Sequence, residues 1–145
     1  MGVNNRWAAE RPRTPVTTCV GAVIVANNRV LLGRRTVLRT TYPDCWDIFG
    51  GHVEGVETLE EALQRETMEE LGVTITAWQP LGVVHDPAEP AEIHLFLVRD
   101  WNGTPRNLAP HEHSEIGWFR PEDLSDLHGL REYRQVVVQA VERAT

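Results

Sequence analysis

Residues 51–73 read GHVEGVETLEEALQRETMEELGV, and they contain a helix with both of its ends encoded. Thr58 followed three residues later by Glu61 makes a capping box, in which the threonine hydroxyl accepts one orphan backbone N–H and the glutamate returns to the cap. Gly72 supplies the left-handed residue that closes such a helix, so the spacing predicts a helix over 58–71. At about 100° per residue, Leu59 and Leu63 fall on one face, Glu66 and Glu70 continue that stripe, and Glu69 lies beside them. A face that begins as core ends as carboxylate.

Glu54 and Glu57 precede the helix, and Glu60, Glu61, Glu66, Glu69 and Glu70 lie on it. Like charges three or four residues apart cost roughly 0.2–0.5 kcal/mol per pair, and more where water is excluded. A hard divalent cation is the counter-charge that suits such a cluster, because Mg²⁺ combines a few carboxylates with phosphate oxygens and water. Glu60 and Glu61 point away from the stripe and are expected to be solvated.

On the N-terminal side, 16–26 is β-branched and apolar, Asn27-Asn28 suits a tight hairpin turn, and Val30-Leu31-Leu32 resumes the strand. A polar loop with Pro43 and Asp44 leads to a short strand over 46–49, ending at Gly50-Gly51. On the C-terminal side, 73–84 and 93–99 read as strands separated by a loop with Pro87 and Pro90, and Asn102-Gly103 as a turn. A last strand is expected over 116–119. A closing helix over 130–143 should bury Tyr133, Val136, Val137, Ala140 and Val141. Strands mixed with two helices predict an α+β layered domain over 15–145, preceded by a flexible tail over 1–14.

The chain has 145 residues, 14 Lys and Arg against 21 Asp and Glu, and a formal charge of -7. That balance argues against binding a nucleic acid polymer through its phosphates, and an acidic protein that handles phosphates needs a metal. No stretch has the length and apolarity of a membrane span or a signal peptide, so a cytoplasmic protein without membrane contact is expected. Cys19 and Cys45 stand in no paired spacing and are expected to be reduced and buried.

Gly51, Glu57, Arg65-Glu66, Glu69-Glu70 and Gly72, at these spacings, closely resemble the box of the Nudix hydrolases, the family of the MutT-like nucleotide pyrophosphohydrolases. Three positions depart from the usual pattern: Thr67 replaces an aliphatic residue, Phe49 stands where a proline often precedes the glycines, and Gly55-Val56 inverts the order before Glu57. None is a carboxylate. The resemblance implies an α/β/α sandwich with a mixed sheet and a loop-helix-loop metal site. It implies Glu66, Glu69, Glu70 and the Gly50 carbonyl as ligands of Mg²⁺, with Mn²⁺ as a substitute. Glu57 and Arg65 would brace the loop beside Gly51.

The implied reaction is attack by water on a diphosphate, releasing a nucleoside monophosphate, with the metal neutralising phosphate oxygens and acidifying the water. Glu112 or Glu115, or alternatively Glu69 or Glu70, would serve as general base. Two histidines in His111-Glu112-His113 without further spaced ligands are weak grounds for a transition-metal site, and an exposed polar loop is expected. His52, His85 and His94 are expected to be ordinary histidines. By the same resemblance Arg34, Arg35 and His128 fall near the substrate, although strand-end arginines are as readily solvated. Trp46, Phe96, Trp101 and Trp118 could stack on a base or lie in the core. A nucleoside triphosphate is the first expectation for the substrate, taken by a monomer or homodimer. ADP-ribose or a nucleotide sugar is the alternative, and a non-catalytic nucleotide sensor is a third reading.

Overall fold

A computed structural model describes residues 16–87 and 90–144. The expected tail over 1–14 lies outside the described residues. The order is β1 (Thr17–Ala26), β2 (Arg29–Arg35), β3 (Trp46–Asp47), β4 (Phe49–His52), α1 (Leu59–Leu71), β5 (Thr74–Asp86), β6 (Ala91–Asn102), β7 (His113–Phe119), two 3₁₀ turns (Pro121–Asp126 and Arg131–Tyr133) and α2 (Arg134–Arg143).

Among the described residues, seven strands form one mixed sheet around β1, which pairs antiparallel with β2 and β4 and parallel with β6. β5 extends the sheet beyond β6, and β7 pairs with β2. A strand covered on both faces should be apolar throughout, and the run from Val20 to Val25 is buried without interruption. Its side chains alternate between two cores. Val20, Ala22 and Ile24 face α1 with Leu63, Leu71 and Phe49. Val23 and Val25 face the other side with Leu124, Tyr133, Val137 and Val141. The chain is therefore an α/β/α sandwich, as expected.

The helix ends are as predicted: the Thr58 hydroxyl accepts the Glu61 N–H, the Glu61 carboxylate accepts the Thr58 N–H, and Gly72 closes α1 at φ 72°. Asn27 and Asn28 take φ of 51° and 62° in the β1–β2 hairpin. Several boundaries differ from expectation, and β5 and β6 run on to Asp86 and Asn102, beyond the expected 84 and 99. The strand expected over 46–49 is two strands, because Trp46–Asp47 pairs with β2 whereas Phe49–His52 pairs with β1. At the junction the Asp47 carboxylate accepts the Ile48 N–H at 2.9 Å, so the switch leaves no orphan donor there. Gly50 and Gly51 lie inside β4 instead of ending it.

The closing helix starts at Arg134 rather than at 130, because the preceding backbone is tied to β3. The Trp46 N–H donates to the His128 carbonyl, the Leu130 N–H to the Trp46 carbonyl, and Leu130 turns to φ 63°. The last strand begins three residues early, at His113, opposite Arg35 and past a register shift. Cys45 is buried as expected, but Cys19 is only half-buried, since β1 opens there onto a cavity.

Candidate active site

The cavity, of about 500 Å³, is walled by the ends of β1, β2 and β4, by the loop between β2 and β3, and by the acidic half of α1. Gly50, Gly51, Glu66, Glu70, Glu112, His113, Arg35, Arg39 and Tyr42 are among its lining residues.

α1 reaches the cavity because β4 runs beside it, and the two glycines let it come close. A Cβ on Gly51 would press into the Glu66 carboxylate, and one on Gly50 would meet the Val20 carbonyl, with φ of 153° adding strain. With the side chains absent, the Gly50 N–H donates to Glu70 Oε1 at 2.9 Å. The helix face divides as its geometry requires. Glu70 is buried and Glu66 nearly so, their side chains 5% and 13% exposed, while Glu69 is 58% exposed and outside the cavity lining.

Arg65 supplies part of the positive charge that the carboxylates call for. It donates to Glu57 Oε2 at 2.7 Å and Oε1 at 3.0 Å, to Glu66 at 3.0 Å, to Glu69 at 3.3 Å, and to the His52 carbonyl at 2.9 Å. Its hydrogen bonds hold the Glu57 carboxyl below the usual range, helped by the Glu54 N–H. Thr67, in a position that is usually aliphatic, is buried with its hydroxyl donating to the Leu63 and Gln64 carbonyls. The core therefore gains no unsatisfied group from it.

No cation reaches Glu70 from Arg65. Burial pushes its carboxyl up to about 9; the charges on Glu66 and Glu112 add to this, and the Gly50 N–H opposes it. Burial likewise raises Glu66, against the hydrogen bond and charge of Arg65. Beside Glu70 stands His113, 4% exposed, its Nε2 3.7 Å from Glu70 Oε2 and its buried Nδ1 without a hydrogen-bond partner among the described residues. Burial, with the charges of Arg39, Arg35 and His111, lowers His113 to about 4, so the ring is neutral near pH 7. Donor atoms of Glu70, Glu112 and His113 lie within 4.8 Å of one another. Two carboxylates, one of them buried, with a neutral imidazole whose Nε2 faces Glu70, are a donor set that fits a divalent cation.

His113 is a correction to the sequence reading, which expected an exposed loop. Glu112 is half-buried in the cavity, whereas Glu115 lies outside its lining and accepts from Arg34 at 3.4 Å. Arg34 also donates to Asp44 at 2.8 Å and is not among the lining residues. Arg35 is, held by the Thr41 carbonyl at 2.8 Å. His128 lies outside the lining, with an exposed side chain and its carbonyl on Trp46.

None of the four aromatic residues considered from the sequence lines the cavity. Trp46 packs against Phe119, Trp101 stacks on Trp118, and Phe96 is core. The cavity contains Tyr42 instead, its hydroxyl donating to Asp86 at 2.8 Å. Nothing in its polar loop marked that residue in the sequence.

The comparisons agree with this architecture. The family model of the NUDIX domain matches residues 15–141. Over 106 residues the chain is 33% identical to the CTP pyrophosphohydrolase of Escherichia coli (strain K12), covering 72% of this chain and 76% of that protein. It is 32% identical over 121 residues to the nucleoside triphosphatase NudI of Enterobacter sp. (strain 638), covering 76% and 86%. The crystal structure of a MutT NUDIX hydrolase from Burkholderia pseudomallei matches with a TM-score of 0.79 at 32% identity, covering 88% of this chain and 99% of that one. The chain belongs to the Nudix family and is a MutT-like hydrolase that acts on phosphorus-containing anhydrides.

Proposed function

We propose that the chain hydrolyses a nucleoside triphosphate in the cytoplasm, releasing a nucleoside monophosphate and pyrophosphate, with Mg²⁺ held by Glu66, Glu69, Glu70 and the Gly50 carbonyl. The observation that carries this reading is one cavity lined by Glu66, Glu70 and Glu112 together with Arg35 at the end of β2 and Arg39 and Tyr42 on the loop that follows. Its volume of about 500 Å³ suits a single nucleotide rather than a polymer. The activities for which the two relatives are named, on nucleoside triphosphates, support the same substrate class.

A cation bound there would neutralise phosphate oxygens and make water a better nucleophile near neutral pH. The chain's own groups do the rest. Glu112, half-buried and beside Glu70, takes the proton from the attacking water. Arg35 and Arg39 balance the charge of the remaining phosphates, and Tyr42, on the same loop, covers the nucleoside. Arg65 keeps the loop before α1 in place through Glu57, so Glu66 is presented at a fixed position.

Product identity across a panel of nucleotides tests this, with Mg²⁺ or Mn²⁺ and again with chelator. Pyrophosphate released from a triphosphate, only with metal, supports the proposal. A sugar phosphate from ADP-ribose or a nucleotide sugar, with triphosphates untouched, would replace the substrate assignment. Absence of turnover by folded, metal-loaded protein would leave a binding domain.

A further inference from the structure

Tyr42 is held in a conformation that its side chain does not favour. Its φ is 49°, in the left-handed region where a bulky residue is strained, and Asp44 has φ of 60°. Both ends of this short stretch are pinned, since Arg35 donates to the Thr41 carbonyl at 2.8 Å and Arg34 to the Asp44 carboxylate at 2.8 Å. The result is a reach across the sheet. The loop leaves β2, on one side of β1, and the Tyr42 hydroxyl donates at 2.8 Å to Asp86, at the end of β5 on the other side.

Asp86 lines the same cavity as the box carboxylates but stands well away from them. It pairs with Ala91, Ala91 with Thr17, and Gly50 with Gly21, so Asp86 lies four residues along β1 and three strands across from Gly50. At the usual strand spacings that is roughly 13 Å by 14 Å. The cavity wall also includes Ile48, Ile93 and Tyr133, which belong to the core on the α2 side. An apolar wall suits an uncharged ring, and a carboxylate repels phosphate, so the part of a nucleotide that meets Asp86 is its nucleoside. A hydroxyl that has given its proton to a carboxylate offers a ligand only lone pairs. Tyr42 and Asp86 together therefore present acceptors.

We propose that Asp86, positioned by Tyr42, selects nucleobases that carry an exocyclic amino group, as in cytosine or adenine, over those with a carbonyl at the same place, as in uracil or hypoxanthine. An amino group donates to these acceptors, whereas a carbonyl meets them lone pair to lone pair and gives up its water without replacement. This selection rests on the nucleotide reading of the cavity and adds which part of the base is read.

The test is calorimetry of the full chain with Mg²⁺ and α,β-methylene triphosphates, which resist the proposed cleavage, in two pairs: cytidine against uridine and adenosine against inosine. In the pair bound more tightly, the amino member should bind at least about tenfold better than the carbonyl member. Asp86→Asn, whose amide can turn either its oxygen or its nitrogen to the base, should bring the two within about threefold, chiefly by improving the carbonyl member. Tyr42→Phe keeps the ring and should narrow the preference in the same direction, whereas a loop merely loosened would weaken both members alike. A parent that binds both members equally or prefers the carbonyl overturns the proposal. So does an Asp86→Asn variant that keeps the parent's preference, or one that loses both members equally, the mark of a bond to the sugar. Preference without turnover of the natural triphosphates would uphold the reading of the base and remove that of triphosphate hydrolysis. Binding of none of the four analogues would overturn both. The parent's own ratio answers first, even if a variant does not fold.

Discussion

Replacing Glu70 by glutamine is expected to stabilise the metal-free protein and to abolish its turnover. In the fold this carboxyl is pushed up to about 9 from an ordinary 4.5, first by burial and then by the charges of Glu66 and Glu112. Between those two values the folded chain holds a proton that the unfolded chain has released. Stability from this group is therefore complete below pH 4.5 and falls as pH rises toward 9. Each unit costs about 1.4 kcal/mol, so the penalty at pH 7 is about 3 kcal/mol. Glutamine does not titrate, fits the same space, and still offers an oxygen to the Gly50 N–H.

Thermal melts in chelator should place Glu70→Gln above the parent by roughly 6–10 °C at pH 7, with the gap growing toward pH 9 and closing near pH 4.5. Mg²⁺ should raise the parent's Tm and leave the variant's unchanged. A parent whose Tm is flat from pH 5 to 9 in chelator, or a variant that melts below it at pH 8, would refute the reasoning.

Arg65→Ala removes the bonds to Glu57, Glu66, Glu69 and the His52 carbonyl and should cost about 1–3 kcal/mol in urea denaturation, with Arg65→Lys recovering only part. Gly50→Ala should destabilise by more than about 2 kcal/mol or prevent folding, because of the Val20 carbonyl and the φ of 153°; a Tm equal to the parent's would contradict the packing described. Thr67→Val should change stability by less than about 1 kcal/mol, since the hydroxyl bonds only to carbonyls of its own helix, and should leave kcat unchanged.

The elements with local signals were legible in the sequence. The caps of α1, the paired asparagines of the hairpin and the apolar run of β1 depend on neighbours within a few residues, and each took the expected form. Ile48 was not legible, because the break there follows from two different partner strands and not from its own surroundings. His113 was hidden for the same reason. Its polar neighbours suggest a loop, and its burial is decided by pairing with Arg35 and by the empty space at Gly33. Arg34 and Arg35 could have been separated from sequence, since adjacent strand residues point to opposite faces, but which face met the cavity required the fold.

Arg65 also bears on the order in which the working site assembles. With its guanidinium inside the cluster, the helix carries an internal counter-ion for Glu57, Glu66 and Glu69, and Glu70, which that guanidinium does not bond, takes up a proton when no cation is at hand. Folding is thereby separated from cation supply. The chain can leave the ribosome, pack its two cores and wait; the ion can then enter alone or already bound to a phosphate chain, and it can depart with the product without loosening the helix that held it.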